Sequence, residues 1–443
     1  MDMNNETHLK KNVGFLLSVS IVIGTVIGSG IFMKPGIVLT STGTTNKALL
    51  AWLIGGIITL ASGLTIAEVS VKIPKTGGLY AYLEDVYGKL WGFLCGWVQS
   101  IIYGPAIIGA LGLYFGTLIA GFFGWPDHTK IMIGIITVIL LCVLNLLGTQ
   151  YGGIIQNIST IAKLVPIVLV AIFGIWKGSN PIFAGSIHSD TINFGAAVLA
   201  TLYAYDGWMN VGFMAGEMKN PAKTLPRAII FGIVIVIIAY MTVNLAMFHT
   251  LSAQQIIDLG PNAAKTAATI LFGGLGGKLI AIGIMISIFG CLNGKILTFP
   301  RITLAMANTK LLPGSKAIAK IHPKYQTPVG ATVIQVLIAI LMMLFGNPDR
   351  LYDLAIFTVF IFYSLAFYAV FLLRKQDKGK ETKGLYKVPL YPITPILAII
   401  GSAYIVINTL ISSPLDAVIS IGITLIGLVV YLIRKSKVQM KEG

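Results

Sequence analysis

Glycine and serine interrupt the first long apolar run of the chain at Gly28, Ser29 and Gly30. Glycine is costly in a helix interior, so these residues predict a helix that unwinds at this point. Where the second half-helix starts, near Ser29, Gly30 and Ile31, free backbone N–H groups and the positive end of the helix dipole attract an anion. Where the first half-helix ends, near Val26, free carbonyl groups attract a cation.

A second interruption, Tyr-Ala-Tyr-Asp-Gly-Trp at 203–208, lies at a similar depth in a later apolar run. We expect Asp206 to cap the half-helix that begins near Gly207, with a direct proton relay as its alternative role. The carbonyl group near Tyr203 again attracts a cation. A ligand that carries both a carboxylate and an ammonium group satisfies the two breaks together. An α-amino acid therefore fits them better than a sugar or a metal ion.

The helices that hold these breaks have the composition of a membrane protein. Of the 443 residues, 56% are hydrophobic and 11% are charged, whereas soluble domains average about 25% charged residues. This balance disfavours a water-soluble enzyme and a nucleic-acid-binding protein. Apolar runs separated by charged or Pro/Gly-rich breaks predict twelve membrane-spanning helices. They lie near 14–40, 47–72, 90–121, 131–148, 152–176, 192–217, 227–250, 276–308, 328–346, 350–374, 390–411 and 415–433.

The excess of positive charge predicts the orientation of these helices. The 32 Lys and Arg residues against 16 Asp and Glu residues give a net charge of +16. Twenty-three of the cations fall on one side of the predicted spans and six on the other. Because cytoplasmic loops collect Lys and Arg, both ends of the chain, 1–13 and 434–443, are predicted to be cytoplasmic. The three remaining cations, Lys34, Lys163 and Lys295, lie within spans.

The corresponding positions of the two breaks predict an internal repeat. Residues 14–176 hold five of the predicted spans, residues 192–374 hold five more, and 390–433 adds a final pair. Because each half has an odd number of spans, the second half must be inverted relative to the first. Inverted repeats with paired broken helices are typical of transporters that bind their substrate near the membrane midplane. The alternative is that the glycines only allow close packing of helices.

Four motifs in order resemble the amino acid-polyamine-organocation superfamily and, within it, the L-amino acid transporter family. They are GTVIGSGIF (24–32), PKTGGLYAYLEDVYG (74–88), YAYDGW (203–208) and GEMKNPAKTLPRA (216–228). The resemblance implies the leucine-transporter fold: an all-α integral membrane protein of twelve helices with a five-plus-five inverted repeat and broken helices 1 and 6. It also implies alternating access. The YAYDGW form is similar to bacterial members that exchange small neutral amino acids across the plasma membrane, such as Ala, Ser, Cys and Thr.

The resemblance also implies a substrate site at the two breaks. By position, the backbone of Ser29 and Gly30, with Ile31 beside them, would bind the carboxylate of the substrate. The carbonyl groups of Val26, Tyr203 and Asp206 would bind its ammonium group. This resemblance identifies substrate-binding residues at both interruptions, and it implies that no catalytic residues are needed.

Lys163 is the most unusual charge, because it lies deep in the fifth predicted span. A lysine at such a depth costs about 2.5–3.5 kcal/mol on insertion scales, so it needs a partner or a function. One role is structural, an ammonium group that satisfies carbonyls of a broken helix. The resemblance implies a coupling role, in which Lys163 replaces a sodium ion and links the first span to the eighth near Ser287 and Asn293. Transport would then not depend on sodium.

Other charges receive simpler interpretations. Lys295 and Lys34 are expected to snorkel toward the membrane surfaces. Glu217 belongs either to a loop beside a cytoplasmic gate or to an ordinary solvated helix end. Neither the five histidines nor the three cysteines have the spacing of a metal site, so no metal and no cofactor are expected.

The sequence leaves three further alternatives to consider. An integral-membrane enzyme would need clustered catalytic groups, and the acidic residues are dispersed. A proton-coupled amino acid symporter stays open, as does a receptor without flux.

Eukaryotic family members join a partner subunit through a cysteine after the third span, but 121–130 contains none. We therefore expect no disulfide-linked heavy-chain subunit, and the expected partners are small neutral L-amino acids and the lipid bilayer.

Overall fold

The structure is a computed structural model that describes residues 9–183, 185–187, 192–377 and 385–442. Several of the predictions above fall on residues outside these ranges. They are the first eight residues of the predicted cytoplasmic segment 1–13, the final residue Gly443, and three of the cations counted for orientation, Lys378, Lys380 and Lys383.

The described part of the chain is helical, with isolated bridges in place of any named strand. The first nine α-helices are α1 (Phe15–Val26), α2 (Gly30–Thr42), α3 (Thr45–Lys72), α4 (Leu79–Tyr87), α5 (Lys89–Val98), α6 (Gly104–Phe123), α7 (Thr129–Leu146), α8 (Thr149–Lys177) and α9 (Phe194–Ala204). The others are α10 (Pro221–Thr250), α11 (Ala253–Leu259), α12 (Ala263–Thr298), α13 (Pro300–Asn308), α14 (Ser315–Ile318), α15 (Val329–Phe345), α16 (Pro348–Gln376), α17 (Ile393–Ser412) and α18 (Pro414–Glu442).

Within the described residues, nine helices are long and apolar enough to cross a membrane, or up to ten if the bent pair of α1 and α2 forms one span. The pair bends by 43° at its break. A π-helical turn at Gln99–Tyr103 joins α5 to α6 into one long span. Leu16, Ile158 and Leu341 are among the apolar side chains left exposed on the outside. Such a surface suits lipid, and the chain is a multi-pass membrane protein.

Both predicted breaks are present in the backbone. The helix α1 ends at Val26 and α2 begins at Gly30. The helix α9 ends at Ala204, and a 3-10 helix, Trp208–Glu217, follows a turn in which Gly207 has φ of 116°. That angle lies in the left-handed region that favours glycine, which accounts for the glycine after Asp206.

The two broken helices pass close to each other. The helix α2 packs against α9, and α1 packs against the 3-10 helix, α8, α10 and α12. A Cβ atom added at Gly30 would lie 2.9 Å from the Cα and Cβ atoms of Ala204. Close packing therefore requires glycine at this position, because a side chain would push the two breaks apart. The packing interpretation of the glycines thus applies at the same place as the proposed site.

Candidate functional site: a cavity between the two breaks

A cavity of about 840 Å³ lies beside the breaks. Its inner end contacts Gly28, Ala204 and Cys291, and it extends along α2 and α6. Its other end is bordered by the exposed side chains of Ile37 and Lys265. We call this exposed end the mouth. The volume of the whole cavity falls within the range of about 300–1,000 Å³ that is usual for ligand pockets.

Four of the residues predicted from sequence line this cavity: Val26, Ser29, Gly30 and Tyr203. The other five, Ile31, Asp206, Lys163, Ser287 and Asn293, are not among the described residues that line it. All five are buried. The structure therefore places part of the predicted set at the cavity and the rest in the packing around it.

The start of α2 presents backbone donors at the inner end of the cavity. Ser29 lies at the N-terminal cap position, and the amides of Phe32 and Met33 donate to its carbonyl oxygen at 3.0 and 3.1 Å. The amides of Gly30 and Ile31 therefore precede the first bonds of this helix. Together with the helix dipole they form an anion-binding arrangement.

The carbonyl groups at the two breaks are linked by a tyrosine. The Tyr240 hydroxyl of α10 lies 2.9 Å from the Ala204 oxygen and 3.1 Å from the Val26 oxygen. A hydroxyl has a single proton, so it donates to one of these oxygens at a time. The other oxygen then keeps its lone pairs for a cation. Sequence reasoning missed Tyr240, because a single tyrosine in an apolar span gives no signal of its position around the helix.

Tyr203 reaches the cavity while its polar groups contact other helices. Its hydroxyl lies 3.2 Å from the Thr409 hydroxyl of α17. Its carbonyl oxygen accepts a bond from the Tyr352 hydroxyl of α16 at 3.4 Å and one from the Asp206 amide at 3.3 Å. The aromatic ring is thus fixed at the second break by α16 and α17.

Lys163 is a residue of α8, and its side chain, which is 1% exposed, reaches the end of α1. Its Nζ donates to the carbonyl oxygens of Gly24 at 2.9 Å, Ile27 at 2.6 Å and Ser287 at 2.9 Å. Carbonyls in the last turn of a helix lack partners within the helix, and a cation there also complements the helix dipole. The ammonium group therefore caps α1 and links three helices, α1, α8 and α12.

Ser287 and Asn293 lie on α12 but in different surroundings. The Ser287 hydroxyl donates to the Ile27 oxygen at 3.0 Å, beside the Lys163 ammonium. Asn293 instead donates to Gly152 and Gln156 of α8, both at 3.0 Å. Asn293 therefore packs α12 against α8, and the structure does not bring it into contact with Lys163.

Lys295 and Asp206 correct two expectations. Lys295 does not snorkel, because it is 1% exposed and lines the cavity, with its Nζ 3.8 Å from Oδ2 of Asp206. Asp206 does not cap the following helix with its side chain. Instead, its Oδ2 accepts a bond from the Tyr103 hydroxyl at 2.8 Å. An ammonium group and a carboxylate that are both desolvated attract each other strongly, which draws the lysine inward to the break.

The 3-10 helix ends at a second buried ion pair, away from the mouth. Glu217 accepts bonds from Arg301 at 2.7 and 3.2 Å and from the Thr149 hydroxyl at 3.1 Å. The backbone oxygen of Glu217 also accepts a bond from the Val13 amide at 3.0 Å. Both charged side chains are at most 3% exposed. Glu217 is therefore not a solvated helix end. We call this cluster of Val13, Thr149, Glu217 and Arg301 the closed face.

The closed face gives a prediction about stability. Glu217→Gln should lower the thermal stability of the purified protein, because removing one partner of a buried pair typically costs about 3–5 kcal/mol. Glu217→Gln combined with Arg301→Gln should lower it by less than the sum of the two single changes, since the pair is already broken. Melting curves of the three variants in detergent measure this. Strictly additive losses would contradict the coupling.

The described residues contain no group of three or more His, Cys, Asp or Glu that could hold a metal ion. Cys95, Cys142 and Cys291 are free and buried.

Comparison with known proteins identifies the family. Residues 13–433 match the model of the Amino acid permease family. The chain is 56% identical to the serine/threonine exchanger SteT of Bacillus subtilis over 96% of both chains. It is 31% identical to the human cystine/glutamate transporter and 30% identical to the mouse large neutral amino acids transporter small subunit 2, over 96% of this chain and 85% and 81% of theirs. These matches confirm the resemblance drawn from the motifs, and the chain belongs to the amino acid permease family, as a transporter rather than an enzyme.

Proposed function

We propose that this protein exchanges small neutral L-amino acids, chiefly Ser, Thr, Ala and Cys, across the plasma membrane of a bacterium without sodium. The cavity carries this proposal, because it joins the free amides at the start of α2 to the carbonyls at the ends of α1 and α9. The amides suit a carboxylate and the carbonyls suit an ammonium group. The printed name of the Bacillus subtilis relative, a serine/threonine exchanger, supports this substrate class.

Within this cavity we assign the substrate carboxylate to the backbone of Ser29, Gly30 and Ile31. Its ammonium group would contact the oxygens of Val26, Tyr203 and Asp206. The Val26 oxygen shares the single proton of Tyr240 with Ala204, which leaves it able to accept a further bond. The pairing of Asp206 with Lys295 then holds the second break in place.

Alternating access would use the two halves of the chain as an inverted repeat. In this proposal 14–176 and 192–374 are the two units of five spans, and 390–433 adds two spans, giving twelve. The bent pair of α1 and α2 counts as the first span. The short segments α9 with its 3-10 helix and α15, 17 residues long, supply the two spans that length alone does not identify.

Lys163, with Ser287 beside it, would make sodium unnecessary. Its ammonium group contacts three carbonyl oxygens, and hard cations such as Na⁺ prefer oxygen ligands of this kind. A fixed charge at this place links α1 to α12 in every turn of the cycle. Asn293 would contribute indirectly, by holding α12 against α8.

The proposed topology places both chain ends, 1–13 and 434–443, in the cytoplasm, because Lys and Arg collect on that side. The closed face would then be the cytoplasmic face and the mouth would open outward. The loop after α6 contains no cysteine, so the transporter would work without a disulfide-linked heavy chain.

Exchange can be tested in sodium-free proteoliposomes. We expect uptake of labelled L-serine to be at least tenfold faster into vesicles loaded with L-serine than into empty ones. The physical reason is that an empty carrier changes conformation slowly, so one substrate must leave as another enters. A panel of unlabelled amino acids as competitors would define the side-chain preference.

The alternative function is proton-coupled symport. Empty vesicles with an inward pH gradient distinguish it, because a symporter accumulates L-serine there without internal substrate. Strong uptake driven by the pH gradient alone would contradict the exchange mechanism. Binding without any flux in either arrangement would instead indicate a receptor.

A further inference from the structure

The cavity is longer than a small amino acid needs. Its volume of about 840 Å³ approaches the upper end of the range in which pockets bury drug-sized ligands. The predicted carboxylate and ammonium contacts occupy only its inner end, at Ser29, Gly30 and Val26. The outer part, from α2 to the mouth, has no assigned role.

The charged side chains that the structure describes along this cavity are all lysines. Among the described residues that line it, the charged ones are Lys34, Lys265 and Lys295. Lys295 is paired with Asp206 at the inner end. Lys34 is half-buried, Lys265 is exposed at the mouth, and neither forms an ion pair with a described residue. Among the side chains that the structure describes, the outer part of the cavity therefore has two lysines without an ion-pair partner.

The position of Lys34 on α2 connects the mouth to the inner site. Gly30, Lys34 and Ile37 all line the cavity, and their spacing of four and three residues places them on one face of the helix. One helical turn rises about 5.4 Å, so Lys34 lies one turn from the free amides toward the mouth. A carboxylate that moves inward along α2 would meet the Lys34 ammonium before it reaches the amides.

We infer that Lys34, with Lys265 at the mouth, forms an outer carboxylate-binding subsite that receives amino acids carboxylate-first and passes them to the start of α2. This inference rests on the proposed function of the cavity as an amino acid site. A positively charged entrance concentrates the carboxylate end of a zwitterion and repels amino acids with a cationic side chain. Lys34, which was expected from sequence to snorkel, lines the cavity and would thus determine substrate specificity.

The test measures the KM for L-serine separately at the two faces of the membrane. We expect Lys34→Gln to raise the KM at the mouth by about three- to tenfold and to leave the KM at the closed face and the maximal rate within twofold. Lys34→Arg should keep the low KM, and Lys265→Gln should raise it by less. The matched control is Lys47→Gln, an exposed lysine in the first turn of α3 that does not line the cavity.

Ionic strength provides a second measurement, because salt screens exposed charges. Raising the ionic strength should increase the KM of the wild-type protein at the mouth, and it should have a smaller effect on Lys34→Gln, in which only Lys265 remains. The inference is overturned if Lys34→Gln behaves like Lys47→Gln, or if it raises the KM equally at both faces. Failure of the wild-type protein to exchange any neutral amino acid would overturn the proposed function and this inference with it.

Discussion

Lys163→Ala should reduce the exchange of L-serine by at least tenfold. The change removes an ammonium group that donates to the oxygens of Gly24, Ile27 and Ser287. Bonds to a charged group contribute about 1.5–3 kcal/mol each, and tenfold in rate corresponds to about 1.4 kcal/mol. The loss of even one such bond from the rate-limiting conformation is therefore sufficient for a tenfold lower rate. Initial rates in sodium-free proteoliposomes, corrected for the amount of inserted protein, measure the effect.

Sodium separates the coupling role of Lys163 from a purely structural one. Lys163→Ala leaves a group of backbone oxygens and the Ser287 hydroxyl without their cation, and oxygen ligands suit a hard cation. We therefore expect sodium buffer to restore part of the activity of this variant relative to choline buffer, and to have no effect on the wild-type protein. Lys177→Ala is the matched control, since Lys177 lies in the last turn of the same helix and is exposed.

Two results would contradict this role. An unchanged rate for Lys163→Ala would show that the contacts to α1 are dispensable. A low rate together with lost folding, seen as aggregation in detergent, would instead identify Lys163 as a structural residue. The sodium comparison remains informative when some of the variant folds, because it compares two buffers on the same vesicles.

The first break could be predicted from sequence because its signal is local. The Gly-Ser-Gly run carries the conformational preference for unwinding, and the observed ends at Val26 and Gly30 fall around it. The second break follows from Asp206 and Gly207 in the same way. The interactions of the Asp206 side chain could not be predicted from the sequence, because its partners Tyr103 and Lys295 are distant along the chain.

The main limit on predicting the site was that the sequence does not show which face of a helix each residue occupies relative to the cavity. In α10 and α12, nearly all residues are apolar or small, so hydrophobic periodicity does not show which face meets the cavity. In addition, Gly273 has φ of 74° inside α12, a kink that changes the direction of the residues before it. Tyr240 was consequently missed, and Lys295 was expected at the surface. Packing of several helices decides these positions, and a single sequence does not contain that information.

Gly30 has a proposed binding role and a packing role, and a substitution would affect both. Replacing it with a bulky residue would remove room for a carboxylate, but it would also collide with Ala204, since even a Cβ lies 2.9 Å away. A loss of transport in such a variant would therefore not distinguish binding from packing. Side chains that line the cavity but do not lie at the contact between Gly30 and Ala204 are better probes, and Lys295 is one of them.

Lys295→Met should weaken the discrimination between L-serine and L-leucine by about tenfold or more. The Lys295 ammonium lines the cavity and has no hydrogen-bond acceptor among the described residues. A substrate hydroxyl can accept a bond from it, whereas an aliphatic side chain would leave it desolvated and without a hydrogen-bond acceptor. Sites built to bond a substrate hydroxyl reject analogues that lack it far more strongly than apolar pockets do. Inhibition constants of the two amino acids against labelled L-serine give the ratio.

The partner of Lys295 must be considered in this experiment, because Lys295→Met leaves Asp206 buried with the Tyr103 hydroxyl as its one remaining side-chain partner among the described residues. Asp206→Asn combined with Lys295→Gln removes both charges, and we expect it to fold more stably than Lys295→Met while showing the same loss of discrimination. Lys278→Gln, an exposed position on the same helix, is the control. If both Lys295 variants kept the wild-type ratio of inhibition constants, selectivity would have to come from the aromatic residues at the second break, with Tyr203 as the next position to change.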